Sequence, residues 1–329
     1  MTTPHLPTTP TPPSAPVASP QTPLLEALHA RIAIDDVVAL EDFTLVTRGD
    51  RVLFVGEVGV LFAALSGVPL LAITPPDNPA TEPPLTGEAR VVSGELRLHG
   101  HDVALQTHLA VSGFAPLDPP VPSTMTTLAY VTWAARLAGV PPRAAAELAN
   151  ATLRRAGLER ASTRPAASLA LPERRALQLA KAAVHQPAVL IAEAPLDRLE
   201  GPAATFVAAA LAALTEGRRA LLSARRIDPA TAEAALPRAA THLVFMGDTG
   251  VLAEGPPDTL TAEARVYRLT VPTNAEPLRA ALAARGLTLT AGPTSFTVTL
   301  PEGTTTATLL QAASEARAPI IELAPLLPT

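Results

Sequence analysis

Ala188–Pro202, AVLIAEAPLDRLEGP, is the stretch on which the fold turns. It opens with five apolar residues, Ala188 to Ala192, held between Pro187 and Pro195, and the run ends on Glu193. A short apolar run between breakers reads as a strand buried on both faces, the condition of a strand in a parallel sheet. Before it, Glu173–His185 carries Leu177, Ala180, Lys181 and Val184 on one helical face. After it, a second helix rich in Ala and Leu begins at Pro202. Helix, buried strand, helix, with an acid at the strand's C-terminal end, predicts an open α/β sheet whose ligand edge carries Glu193.

The 329 residues suffice for one large domain and a small one. A net charge of −5 shows no broad basic surface, so nucleic acid is not an expected partner. Apolar runs such as Phe206–Leu214 are too short to span a bilayer, so no direct membrane insertion is expected. No secretory leader is expected either, because a basic start followed by an apolar stretch is missing. There is no cysteine, which removes disulfides, thiolate metal ligands and thiol catalysis. These features predict a cytoplasmic location.

Lys181 is the single lysine of the chain. A phosphate-binding loop of the form G-x-x-x-x-G-K-[ST] needs a lysine directly after glycine. Lys181 stands mid-helix in LQLAKAAV, so the intact loop exists nowhere in this sequence.

Read in order, residues 1–23 form a Pro- and Thr-rich segment with too little apolar surface to offset its ordering entropy, and disorder is expected. Ile32–Val46 predicts two short strands broken around Ala39–Asp42. Arg51–Gly56 predicts a buried strand, and Val60–Leu65 the first turns of a core helix. Val68–Arg90, with six prolines in the interval, predicts a long loop. Ser93–Val103 predicts a strand and turn in which His99 and His101, with His108 beyond, share a metal-like spacing that places no fourth ligand. Met125–Val140, N-capped by Thr126, and Arg143–Ala156 predict two helices. Tyr130 and Trp133 on the first are expected to pack in the core. Arg219–Ser223 predicts a strand, and Thr241–Phe245 with Gly250–Glu254 a hairpin in which His242 is structural or solvated. From Val266 the order β-α-β-β-α-β predicts a small ferredoxin-like α+β unit.

Eight stretches stand in a telling sequence: VVALEDFTLVTRGDRVLFVGEVG from Val37, SGELRLHGHDV from Ser93, GFAPL from Gly113, SLALPERR from Ser168, AVLIAEAP from Ala188, Leu199-Glu200, LLSAR from Leu221 and THLVFMGDTGVLAEG from Thr241. Together they resemble the ATP-binding subunits of ABC transporters of the exporter, drug-export type, from Ile32 to the C-terminus. The resemblance implies a P-loop NTPase-like fold over residues 24–262, a helical insertion at about 120–170, and a C-terminal appendage over 263–329.

It also implies a nucleotide site at defined positions, and the residues there depart from the family's chemistry. On the phosphate loop Gly56 and Gly59 match. Leu61 replaces the second motif glycine, Phe62 the lysine and Ala63 the Mg²⁺-binding hydroxyl residue. Leu117 stands for the Q-loop glutamine, and Ala170, Leu171 and Pro172 for the signature Ser-Gly-Gly. Glu193 takes the Walker B aspartate position, Ala194 the catalytic glutamate position, Glu200 the D-loop aspartate position and Arg225 the switch histidine position. Losing two or three charge-assisted contacts at ~1.5–3 kcal/mol each removes roughly two to six decades of affinity.

The expectation is therefore a degenerate subunit that does not hydrolyse ATP and serves as partner or regulatory subunit of an exporter. No catalytic residue and no cofactor are expected, with ATP and Mg²⁺ engaged only if the remnant site of Gly56, Gly59, Phe62, Ala63, Leu117 and Glu193 is used. The implied partners are a membrane permease and an intact ABC ATPase, in a homo- or heterodimer at the inner face of the membrane. Two alternatives stand beside it: a conventional ABC ATP-binding protein that binds ATP weakly while a partner hydrolyses it, and a scaffold unrelated to transport.

Overall fold

The computed structural model describes residues 22–56, 58–69, 87–227, 231–247, 250–262, 266–290, 295–301 and 304–325. Nearly all of the N-terminal Pro/Thr segment and most of the Pro-rich loop lie outside them.

Strands β1 (Leu25–Ile34) and β2 (Val37–Val46) form an antiparallel hairpin that turns at Asp35–Asp36. This corrects the break expected at Ala39–Asp42, which lies inside β2. Asp35 adopts the left-handed conformation at φ 50°, a role that a short polar residue fills better than Leu40, which is 3% exposed in the core. Next come β3 (Arg51–Gly56) and α1 (Gly59–Ser66). Then β4 (Ala89–Leu98) and β5 (His101–Asp102) complete a four-stranded sheet in the order β2-β1-β4-β5. The expected loop therefore ends two residues before Arg90, because Ala89 and Arg90 already pair with β1.

Strand β6 (Ser112–Ala115) leads into two helices, α2 (Thr127–Leu137) and α3 (Pro142–Arg155). The Thr126 hydroxyl caps α2 by accepting from the Ala129 amide at 3.1 Å. Then follow α4 (Leu171–Ala183), β7 (Val189–Ala192), α5 (Gly201–Thr215), β8 (Arg219–Ala224), the short α6 (Leu236–Ala239), β9 (His242–Met246), β10 (Val251–Gly255) and α7 (Pro257–Ala262).

The second sheet has six strands in the order β10-β9-β3-β8-β7-β6. All neighbours from β9 to β6 are parallel, and β10 closes the edge antiparallel to β9. All four β7 residues are fully buried, as the opening stretch predicts. They split between two cores. Leu190 and Ala192 face the helical side with α4 and α5. Val189 and Ile191 face the antiparallel sheet and α1.

The C-terminal unit comprises β11 (Val266–Thr270), α8 (Ala275–Ala283), β12 (Leu289–Thr290), β13 (Ser295–Thr299), α9 (Thr306–Ala316) and β14 (Glu322–Pro325). Its antiparallel sheet runs β12-β13-β11-β14, the order a split βαβ unit produces. The unit has its own core of Leu269, Leu278, Leu282, Phe296, Val298 and Leu309.

Candidate functional site

The register of the six-stranded sheet assembles one edge from residues far apart in sequence. Gly56 lies level with Met246, Val55 with Ala224, Leu222 with Ala192, and Ala192 with Ala115. Gly56, Arg225, Glu193 and Leu117 therefore all stand at the C-terminal ends of parallel strands, where ligands of such sheets sit.

Glu193 is held at this edge from both sides. Its backbone N–H donates to the Ala115 carbonyl at 2.9 Å, and its carboxylate accepts the Leu117 N–H at 3.1 Å. Burial pushes the carboxyl above the ordinary glutamate range. The Leu117 amide and the guanidinium groups of Arg225 and Arg175 pull the other way without cancelling it. Ala194 follows at φ 40°, an uncommon conformation for a residue with a Cβ. Its N–H donates to the buried Ser223 hydroxyl at 2.9 Å, which ties β7 to β8. Ala194 is 4% exposed and offers no acid or base.

Sequence reasoning missed an ion pair beside these groups, between a buried arginine and an exposed aspartate. Arg175 on α4 is 4% exposed. It donates from Nε and Nη2 to both carboxylate oxygens of Asp118, at 2.6 and 2.9 Å, and from Nη1 to the Ala194 carbonyl at 2.7 Å. One guanidinium thus joins the segment after β6, the end of β7 and the helix α4. A basic residue two places after Glu173 gave a signal for it, but its partner 57 residues away did not.

The phosphate-loop positions divide. Gly56 has φ 113°, and a Cβ there would fall 2.1 Å from the Met246 carbonyl oxygen, so this place admits glycine alone. Gly59 opens α1. Leu61, Phe62 and Ala63 are buried at 0%, 1% and 6% exposure. Phe62 meets Phe54 edge to face with ring centroids 5.9 Å apart. The lysine and hydroxyl positions of the loop are occupied by carbon that belongs to the core. Leu117 is 8% exposed and presents its backbone, rather than a side-chain amide, to Glu193.

Arg225 is partly exposed and sits 3.9 Å from Asp197. Ala170 precedes α4 and offers no hydroxyl; Glu173 accepts its N–H at 2.9 Å and pairs with Arg164 at 2.7 Å. Glu200 precedes α5 without a side-chain capping bond.

The histidines have separate surroundings. His99 Nδ1 meets the Arg219 guanidinium at 2.9 Å. His108 is buried with Nε2 3.0 Å from the Leu65 carbonyl, and burial lowers the pKa of both. His242 is buried and 3.3 Å from Glu254. Tyr130 is buried as expected, but Trp133 is 44% exposed, stacked on it at 6.0 Å. The core expectation is corrected for Trp133, whose ring is half exposed, and Tyr130 takes the core position on α2.

Parallel strands fed by α1, the helices α2 and α3 between β6 and β7, and an acid closing a buried strand give the chain the fold of ABC-transporter ATP-binding subunits. The comparisons agree. One solved ATP-binding subunit of an ABC transporter matches at TM-score 0.55 and 16% identity, over 73% of this chain and 92% of that one. CbiO1 of Clostridium perfringens, part of the ABC transporter complex CbiONQ, matches at 0.56 and 18%, over 74% and 92%. In sequence, the phospholipid-transporting ATPase ABCA7 of Homo sapiens is 29% identical over 197 residues, which is 59% of this chain and 9% of that protein. ATP-binding cassette sub-family A member 7 of Mus musculus is 30% identical over 196 residues, with the same coverage. The chain thus spans under a tenth of the length of these curated relatives. No protein-family model matches it.

Proposed function

We propose that this chain is an ABC-type ATP-binding domain that has lost hydrolysis and acts as a partner or regulatory subunit of an exporter. The observation that carries the reading is the position of Phe62. Where the phosphate-binding lysine belongs, an aromatic ring is sunk in the core against Phe54. At the opposite side of the edge, Ala194 supplies no general base, and Glu193 spends its carboxylate on a backbone amide. Mg-ATP asks for a lysine, a hydroxyl and a side-chain amide, and the residues at those places do not fit it. General-base activation of water has no group to perform it.

In this reading the chain works through shape. It occupies the place of an ATP-binding subunit beside a permease at the cytoplasmic face of a membrane, paired with an intact ATPase or with a second copy. Among the described residues no helix is long and apolar enough to cross a membrane, and in this reading a permease supplies the spans. The domain limits we propose are residues 24–262 for the ATP-binding-type domain and 263–329 for the appendage; their separate cores support this division.

Calorimetric titration of the purified chain with Mg-ATP tests the proposal. No heat at millimolar nucleotide is expected. Micromolar binding would overturn it, and binding seen only near millimolar nucleotide, without phosphate release, would favour the weak-binding alternative, with hydrolysis at a partner.

A further inference from the structure

The C-terminal unit touches the edge just described. Along β11, Tyr267 and Leu269 belong to the unit's own core under α8 and α9, so Arg268 between them points to the opposite sheet face. A Cβ built on Gly56 would lie 3.3 Å from Nη2 of Arg268. The guanidinium therefore rests against the backbone at the end of β3. Thr297, the cross-strand neighbour of Arg268 on the same face, is only 2% exposed, although the unit's helices cover the other side. Val266, at the start of β11, is packed in the core of the six-stranded sheet's helical side. This one strand begins in the first core at Val266 and passes at once into the second, through Tyr267 and Leu269.

We propose that the C-terminal α+β unit is an intramolecular cap on the end of β3, seated by Arg268 against Gly56, so that this part of the ligand edge opens only when β11 lifts away. Arg268 Nη2 and the Met246 carbonyl both crowd the place a Gly56 Cβ would take, so a group that approaches Gly56 from that side must displace the guanidinium. The cap goes beyond the loss of hydrolysis and does not depend on it. It would restrain the edge whether or not nucleotide binds.

Hydrogen exchange on the full chain tests the cap, comparing the natural protein with Arg268→Ala. Exchange at Gly56 and in the first turn of α1 is expected to accelerate about tenfold, the equivalent of ~1.4 kcal/mol of lost protection. Protection at Phe296 and Val298 inside the unit should be unchanged. Unaltered exchange at Gly56, or acceleration spread equally to Phe296 and Val298, would overturn the proposal. Arg268→Gln, read by the same criterion, decides the matter if the alanine variant does not fold. Failure here leaves the Mg-ATP titration unaffected, so the two readings fall separately.

Discussion

The Leu117 amide donates a 3.1 Å hydrogen bond to the Glu193 carboxylate across 76 positions of sequence, joining the segment after β6 to the end of β7. A backbone donor here fixes Glu193 without supplying a full opposite charge, and burial keeps its carboxyl protonated to higher pH than usual. The folded chain therefore holds this proton over a window in which the unfolded chain has released it. Stability from this group falls as pH rises above the ordinary glutamate range. Glu193→Gln keeps an oxygen for the Leu117 amide and removes the titration. Melting temperatures of the two proteins, followed upward from about pH 4, should diverge in favour of the variant. Parallel profiles would refute this.

One buried histidine and two partly buried ones set the opposite slope. Burial is the leading cause lowering the pKa of His99, His108 and His185. The unfolded chain takes up these protons first, so stability drops as pH falls below about 6.5. His108, at 1% exposure, should contribute most, and His108→Gln should flatten the loss in an acid-side urea series.

Rebuilding the missing lysine will not restore a phosphate loop. Phe62→Ala should cost about 3–5 kcal/mol, the usual range for emptying a packed aromatic site. Phe62→Lys should cost at least as much, because it drives an ammonium group into carbon. Urea unfolding checks both, and a lysine variant as stable as the natural protein would show that α1 can turn this position outward.

Arg175 and Asp118 should behave as a unit. Asp118→Ala strands a guanidinium that is 4% exposed and should cost about 3 kcal/mol. Adding Arg175→Met to that variant removes the stranded charge and should recover part of the loss. A double variant weaker than the sum of the single changes would contradict this.

The exposed Trp133 ring should matter little to the isolated chain. Trp133→Ala is expected to change stability by less than ~1 kcal/mol, whereas Tyr130→Ala, at a buried site, should cost about 3 kcal/mol or more.

Sequence made the α/β sheet legible because its strands are short, mostly apolar and lie near Gly or Pro; β3, β7 and β8 announce themselves this way. The order of the C-terminal strands was legible from turns alone, although β14 starts three residues later than its apolar pattern indicates. The hairpin β1–β2 was misjudged because the turn-like Ala39–Asp42 makes an irregularity inside the strand, with Asp42 at φ 56° and a shifted register between Leu40 and Phe43, and not the turn itself. The site was legible only as a set of missing groups. What replaced them, the Leu117–Glu193 bond, the Ser223 tie to Ala194 and the Arg175–Asp118 pair, joins residues 29 to 76 positions apart. No local pattern encodes such distances.

Gly56 carries a lesson for reading other chains. Its positive φ and the Met246 carbonyl oxygen at the place a Cβ would take would demand glycine even if nothing were ever bound there. A motif search that scores this loop by its glycines mistakes a requirement of backbone shape for a record of ligand chemistry. The informative positions lie five to seven places further on, where the chain was free to choose and chose Leu61, Phe62 and Ala63.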